Sequence, residues 1–130
     1  MIVTIRTDKI EAELGIFDAS GKQLTYLTWP AHRQLAETIH RKLAEQLTFV
    51  HKALPDIEGI VVFQGPGSFT GLRIGISVAN ALAYSLDCPV VATNGSDWQK
   101  DGMALLAKNK GLETVVPLYD GPAKTTLPRK

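Results

Sequence analysis

The densest group of chemically suggestive residues is Gly65-Pro66-Gly67-Ser68-Phe69-Thr70-Gly71-Leu72-Arg73, which follows the apolar run Gly59-Ile60-Val61-Val62-Phe63. A glycine-rich passage from a buried strand into a helix is where α/β proteins present backbone N–H groups to anions. Ser68 or Thr70 can cap that helix, and the pattern does not choose between them. The spacing, however, is not G-x-G-x-x-G, and no Gly-Lys-Ser/Thr follows. The lysine and hydroxyl that address phosphate and magnesium are therefore missing. A tight structural turn accounts for the glycines better than a nucleotide cradle does. Other candidates are weaker still. His40 and His51 share an azimuth of a predicted helix but stand roughly 16 Å apart along it, too far for one ion. With His32 they read as solvated side chains. Ser68 and Ser77 lack a G-x-S-x-G elbow or an identifiable triad. Cys88 is the only cysteine, which leaves no disulfide framework and no cysteine metal cluster. No catalytic residue, metal ligand or cofactor is expected.

The helix after the loop carries more information. At 100° per residue, Arg73, Ser77, Asn80 and Tyr84 form one narrow polar stripe. Leu72, Ile76, Ala79 and Ala83 lie on one side of it, and Ile74, Val78, Ala81 and Leu82 on the other. A helix covering one sheet face needs roughly 100° of apolar surface, and this one has more. One side packs on the sheet. The other is covered by the first helix, by the tail, or by another molecule, and its small residues favour a close helix partner. The expected partner face comprises Gly71, Ile74, Gly75, Ser77, Val78, Ala81 and Ser85, with the Leu72, Ile76 and Ala83 side assigned to the sheet.

The elements that must position this helix follow from periodicity. Residues 2–6 form a β-branched run, and Lys9 to Phe17 alternates with Ile10, Ala12, Leu14 and Ile16 on one side. Asp18-Ala19-Ser20-Gly21-Lys22 supplies a hairpin turn into a strand from Gln23 to Trp29. A helical pattern runs from Ala31 to Ala53 and stops at Pro55. Gly59 to Phe63 suits a strand buried on both faces, as in a parallel sheet, and Pro89 to Ala92 is another. Ser96 to Gln99 fits a capping box that opens a helix ending near Gly111. Thr114 to Tyr119 is a possible last strand, placed at an edge by Pro117. The order βββαβαβα predicts a mixed α/β sheet in a ribonuclease-H-like lobe over residues 1–112, with a strand and basic tail over 113–130. At 130 residues, 45% hydrophobic and +1 net charge, the chain is an ordinary globular domain without the field to hold nucleic acid alone. No membrane span and no signal peptide is legible, so a cytoplasmic protein is expected.

Val61-Val62-Phe63-Gln64-Gly65-Pro66-Gly67-Ser68-Phe69-Thr70-Gly71-Leu72-Arg73-Ile74-Gly75 resembles the signature of the TsaB (YeaZ) family. These proteins are the dimerisation subunit of the bacterial machinery that makes threonylcarbamoyladenosine on tRNA. Weaker agreement reaches back to Met1, taking in His32, and forward to Asn94-Gly95. Pro117-Leu118-Tyr119 through Pro122-Ala123-Lys124 resembles the family's C-terminal strand and tail. The resemblance implies an actin-like (ASKHA) fold, no transferase activity in this subunit, a helix-bundle contact with a TsaD-type catalytic homologue, and a complex with the ATPase TsaE. tRNA contact is implied only indirectly. Two departures stand out. Typical members end the first strand in Asp-Thr-Ser, where an acid helps actin-like ATPases hold magnesium, whereas this chain has Arg6-Thr7-Asp8. Typical members also carry a second lobe, which this sequence lacks, and with it an interlobe nucleotide cleft. The expected role is a non-catalytic scaffold subunit. The alternatives are a nucleotide-binding or hydrolytic enzyme whose Gly65–Gly71 loop is completed by a partner chain, and a self-associating homodimer.

Overall fold

The computed structural model describes residues 1–31, 34–67 and 69–108. Three strands come first: β1 (Ile2–Arg6), β2 (Glu11–Phe17) and β3 (Gln23–Pro30). They are followed by α1 (Leu35–Phe49), β4 (Gly59–Phe63), α2 (Phe69–Leu86), β5 (Val90–Thr93) and α3 (Trp98–Ala107). The sheet order is β3-β2-β1-β4-β5. β1 pairs antiparallel with β2 and parallel with β4, and β4 pairs parallel with β5. This is the mixed, ribonuclease-H-like arrangement that the element order predicts. All five residues of β4 are buried, as a central parallel strand covered on both faces requires.

The strand alternation divides the core in two. Val3, Ile5, Leu14, Ile16, Ile60 and Val62 pack with α1 and α2, while Val61, Phe63 and Val91 pack with Trp98 of α3. In α1 the buried residues Leu35, Thr38, Ile39, Leu43 and Leu47 recur at three and four, and each fully buried aliphatic contributes about 1.5–3 kcal/mol. The buried Trp29 donates from Nε1 to Thr38 Oγ1 at 3.0 Å, and that hydroxyl donates in turn to the Gln34 carbonyl at 2.8 Å. Trp98 meets Phe63 edge to face with centroids 5.7 Å apart. Both tryptophans are therefore packing anchors, and burial pushes the half-buried Cys88 thiol above its usual range. Among the described residues, no helix is long and apolar enough to cross a membrane.

Several boundaries differ from expectation for identifiable reasons. Ile10 is 65% exposed, because β2 starts only at Glu11 and the chain bends through residues 8–10 before it. α1 ends at Phe49 and not near Ala53, because His51 takes a left-handed φ of 60°. Its N–H then bonds the Thr48 carbonyl at 3.0 Å and Lys52 N–H bonds Leu47 at 2.9 Å, the paired bonds of a Schellman stop. α2 ends in the same way, with Asp87 at φ 54° and Cys88 N–H on the Ala83 carbonyl at 3.0 Å. The Ser96–Gln99 capping box does not form: α3 follows Asp97 with no side-chain cap, and the Gln99 amide reaches Thr4 Oγ1 at 3.3 Å instead. α3 ends at Ala107, short of Gly111, with Lys108 as its C-cap and its N–H on the carbonyls of the last turn. His32, Ser68, the strand at Thr114–Tyr119 and the basic tail lie outside the described residues.

Candidate docking site

The signature loop is built around the end of β1. Gly65 has φ +112°, a conformation that an L side chain rarely adopts. Gly67 and Gly75 meet a different requirement, which is space. A Cβ on Gly67 would stand 2.5 Å from Asp8 Cβ, and one on Gly75 would stand 2.1 Å from Thr7 Oγ1. Thr7 Oγ1 also donates to the Gly71 carbonyl at 2.7 Å, fixing the first turn of α2 on the strand.

Arg6 and Asp8 complete the same corner. Arg6 Nε donates to Asp8 Oδ1 at 2.7 Å and Nη2 to Oδ2 at 3.1 Å, a two-pronged pair. The Asp8 side chain is only 8% exposed, and the guanidinium carbon lies 3.8 Å from the centre of the Phe63 ring. The hydrogen bond to Asp8 holds the Arg6 guanidinium above its usual pKa despite partial burial. Both Asp8 oxygens are thus committed to Arg6, and the aspartate covers Gly67. Among the described residues, no three His, Cys, Asp or Glu side chains are grouped so as to hold a metal ion.

Beyond this corner, α2 runs beside α1. Leu72, Ile76, Ala79 and Ala83 are buried, as the side assigned to the sheet requires. On the other side the division is finer than the pattern suggested. Val78 and Leu82 are also buried, and Ile74 is half-buried against the main core. Arg73, Ser77, Ala81, Tyr84 and Ser85 are exposed, with Tyr84 at 87%. Ile74, Val78, Ser77, Arg73 and Thr70 line a groove of about 320 Å³ whose opposite wall is Ala36 and His40 of α1. Ala81 and Ser85 follow Ser77 and Val78 along the exposed surface of α2. Gly71 is half-exposed, whereas Gly75 is buried against Thr7 and lies outside the face that solvent reaches.

The structure therefore brings Ile74, Ser77, Val78, Thr70 and Arg73 together and fits Gly67 and Gly75 against Asp8 and Thr7, just after β1. Sequence reasoning offered the first helix as one cover of this side but did not identify Ala36 and His40 as the opposite wall. The signal was present: Ala36 and His40 are one helical turn apart, and Ala36 is small enough to leave room between the helices.

A sequence profile described as "TsaD: tRNA N6-adenosine threonylcarbamoyltransferase" matches residues 30–124. The tRNA threonylcarbamoyladenosine biosynthesis protein TsaB of Bacillus subtilis is 54% identical over 66 residues, which is 50% of this chain and 26% of that protein. The tRNA N6-adenosine threonylcarbamoyltransferase of Geotalea uraniireducens is 42% identical over 64 residues, or 49% of this chain and 19% of that protein. The chain thus spans about a fifth to a quarter of the length of these two relatives. Among solved structures, YeaZ from Pseudomonas aeruginosa superposes with a TM-score of 0.66 at 27% identity, covering 72% of this chain and 43% of that one. The profile takes in α1, the signature loop and α2 together. The chain accordingly belongs to the TsaD family of tRNA N6-adenosine threonylcarbamoyltransferases and their homologues, and within it is TsaB/YeaZ-like.

Proposed function

We propose that the chain is a non-catalytic docking subunit that supports tRNA threonylcarbamoyladenosine formation by binding a TsaD-type catalytic homologue. The observation that carries this reading is the groove between α1 and α2. It offers an apolar floor from Ile74 and Val78, a small exposed position at Ala36, and polar rims at Arg73, His40 and Ser77, and the small, exposed Ala81 follows Ser77 along α2 beyond it. A helix laid into such a groove buries apolar side chains at its centre and leaves polar groups at its margin. The signature glycines support the reading because they seat α2 on β1 and leave the loop pressed against Asp8.

A nucleotide cradle built on Gly65–Gly71 is the weaker reading. It would place phosphate beside Asp8, whose carboxylate is already held by Arg6, and no loop lysine follows. The reading includes a complex with a TsaE-type ATPase, and tRNA is met only through the assembly. The described residues up to Lys108 carry the docking lobe in this reading. Co-expression with TsaD-type and TsaE-type proteins, followed by size-exclusion chromatography, tests the proposal. Co-elution with the TsaD-type protein is expected. Separate elution at tens of micromolar, or ATP bound by the chain alone with a Kd below about 10 µM, would overturn it.

A further inference from the structure

Three consecutive residues, Arg6, Thr7 and Asp8, hold the signature segment at four places. The Arg6 guanidinium carbon lies 3.8 Å from the centre of the Phe63 ring, where β4 ends and the loop begins. Asp8 lies under Gly67, since a Cβ there would stand 2.5 Å from Asp8 Cβ. Thr7 donates to the Gly71 carbonyl at 2.7 Å and fills the space beside Gly75. The held positions, Phe63, Gly67, Gly71 and Gly75, come at every fourth residue. Within α2 that spacing is one helical turn, so Gly71 and Gly75 share the face turned to Thr7.

Of these contacts, the one at Gly67 depends on an ion pair. The Asp8 side chain is 8% exposed, and both of its oxygens accept from Arg6. A carboxylate so far from water keeps its place only while it is paired. Among the described residues the other acid near Arg6 is Glu13, which accepts from the Tyr26 hydroxyl and lies 3.6 Å from the Lys9 ammonium. Without Arg6 the Asp8 carboxylate would turn to water and draw its stem off Gly67. The loop would lose its floor two residues before α2 begins at Phe69. Thr7 stands between the paired residues, so the same pair aims its bond to Gly71. The body of α2 stays anchored by the buried Leu72, Ile76 and Ala79. The consequence therefore falls on the start of the helix, which supplies Thr70, Arg73 and Ile74 to the groove.

We infer that Arg6 and Asp8 are positioning residues for docking: their ion pair holds the start of α2 so that Thr70, Arg73 and Ile74 form the groove wall before the partner arrives. The inference rests on the docking reading above and adds two residues that do not line the groove. The pair acts through population. A groove formed in only a fraction of molecules binds with its affinity reduced by that fraction. A loop released nine-tenths of the time would thus weaken docking about tenfold while the folded core remains intact.

Two measurements keep this inference apart from the docking reading. The first, residue-resolved amide exchange on the free chain, needs no partner. Asp8→Asn keeps the shape of the side chain and loses its charge, while Arg6→Met keeps a long stem over Phe63 and loses the fork. The N–H groups of Arg73 and Ile74 report the first turn, because their helical acceptors are the Phe69 and Thr70 carbonyls. Each variant is expected to speed exchange there about tenfold, with α1 and β4 unchanged. The second is titration calorimetry against the TsaD-type protein. Both variants should dock about tenfold more weakly, and the double variant no more weakly than the worse single one, since they break one pair. Arg6→Lys, which keeps the charge but not the fork, should fall between wild type and Arg6→Met. Unchanged exchange at Arg73 and Ile74 overturns the inference whether or not the partner binds. So does exchange raised evenly through α1, β4 and α2, which marks a purely structural role, and so does faster exchange with unchanged affinity. Losses of affinity that add in the double variant overturn it as well. If wild type itself fails to bind the TsaD-type protein, the docking reading falls and the exchange data alone decide what the pair holds.

Discussion

Ala79 and Ala81 lie two residues apart in α2, yet glutamate is expected to have opposite consequences at the two positions. Ala79 is completely buried between the helix and the sheet, whereas Ala81 is exposed. The intrinsic helix cost of Ala→Glu is the same for both and below about 0.5 kcal/mol. At Ala79 the carboxylate would be desolvated without a partner, at several kcal/mol, and its extra atoms would overpack the site by about 1–3 kcal/mol more. The sum, about 5 kcal/mol or above, reaches the whole stability of a typical domain, and Ala79→Glu is expected to unfold the protein. At Ala81 the carboxylate meets water in the free chain, so the melting temperature should fall by no more than about 2 °C. In the docked state the same group becomes an unpaired buried charge costing about 3 kcal/mol or more, a loss of at least about a hundredfold in affinity. Circular-dichroism melts and titration calorimetry against the TsaD-type partner read the two effects separately. Unchanged affinity for Ala81→Glu would refute docking through this face. Unfolding of Ala81→Glu would show that the chain itself covers the helix.

Three further predictions follow from the geometry. Gly75→Ala should destabilise by about 1–3 kcal/mol despite alanine's better helix propensity, because its methyl meets Thr7 Oγ1 at 2.1 Å; adding Thr7→Ala should recover most of the loss, with a coupling above about 1 kcal/mol in denaturant titrations. His51→Gly should raise the melting temperature by about 4 °C, since glycine relieves roughly 1 kcal/mol of left-handed strain at φ 60°, and no change would mean that the α1 stop is not of this kind. Burial, reinforced by the bond to Glu13, holds the Tyr26 phenol well above its usual pKa. A group whose folded pKa is raised lends stability that is complete below its unfolded value near 10 and is lost as pH rises beyond it. Wild type should therefore lose stability between about pH 10 and 12 more steeply than Tyr26→Phe, as measured by melts across that range.

Periodicity made the element order and the sheet side of α2 legible, because strands and helices that bury one face must repeat at two or near three and a half residues. Val61 to Phe63 and Leu72, Ile76 and Ala83 are where that rule asks them to be. The features that stayed hidden are set by tertiary contacts. Nothing local in His51 announces a left-handed helix stop, and Gln99 gives up a local cap for a bond to Thr4 across the sheet. The side of α2 away from the sheet looked uniform on a wheel. Only the position of α1 buries Val78 and Leu82 while leaving Ser77 and Ala81 open. Glycine spacing in the signature was legible as a tight passage, but its cause, the room needed by Thr7 and Asp8, lay some sixty residues earlier.

That distance bears on how this chain can be recombined with its relatives. The family match begins at residue 30, so β1 and the segment Arg6-Thr7-Asp8 at its end fall outside it. The glycines fitted to that segment lie inside. A chimera joined at the natural-looking seam between β3 and α1 would import a helix whose Gly75 was shaped against a different β1, and a larger residue at either position would collide. Exchanges that carry residues 6–8 together with 65–75 should fold, while exchanges that separate the two segments should fail for want of a few cubic ångströms.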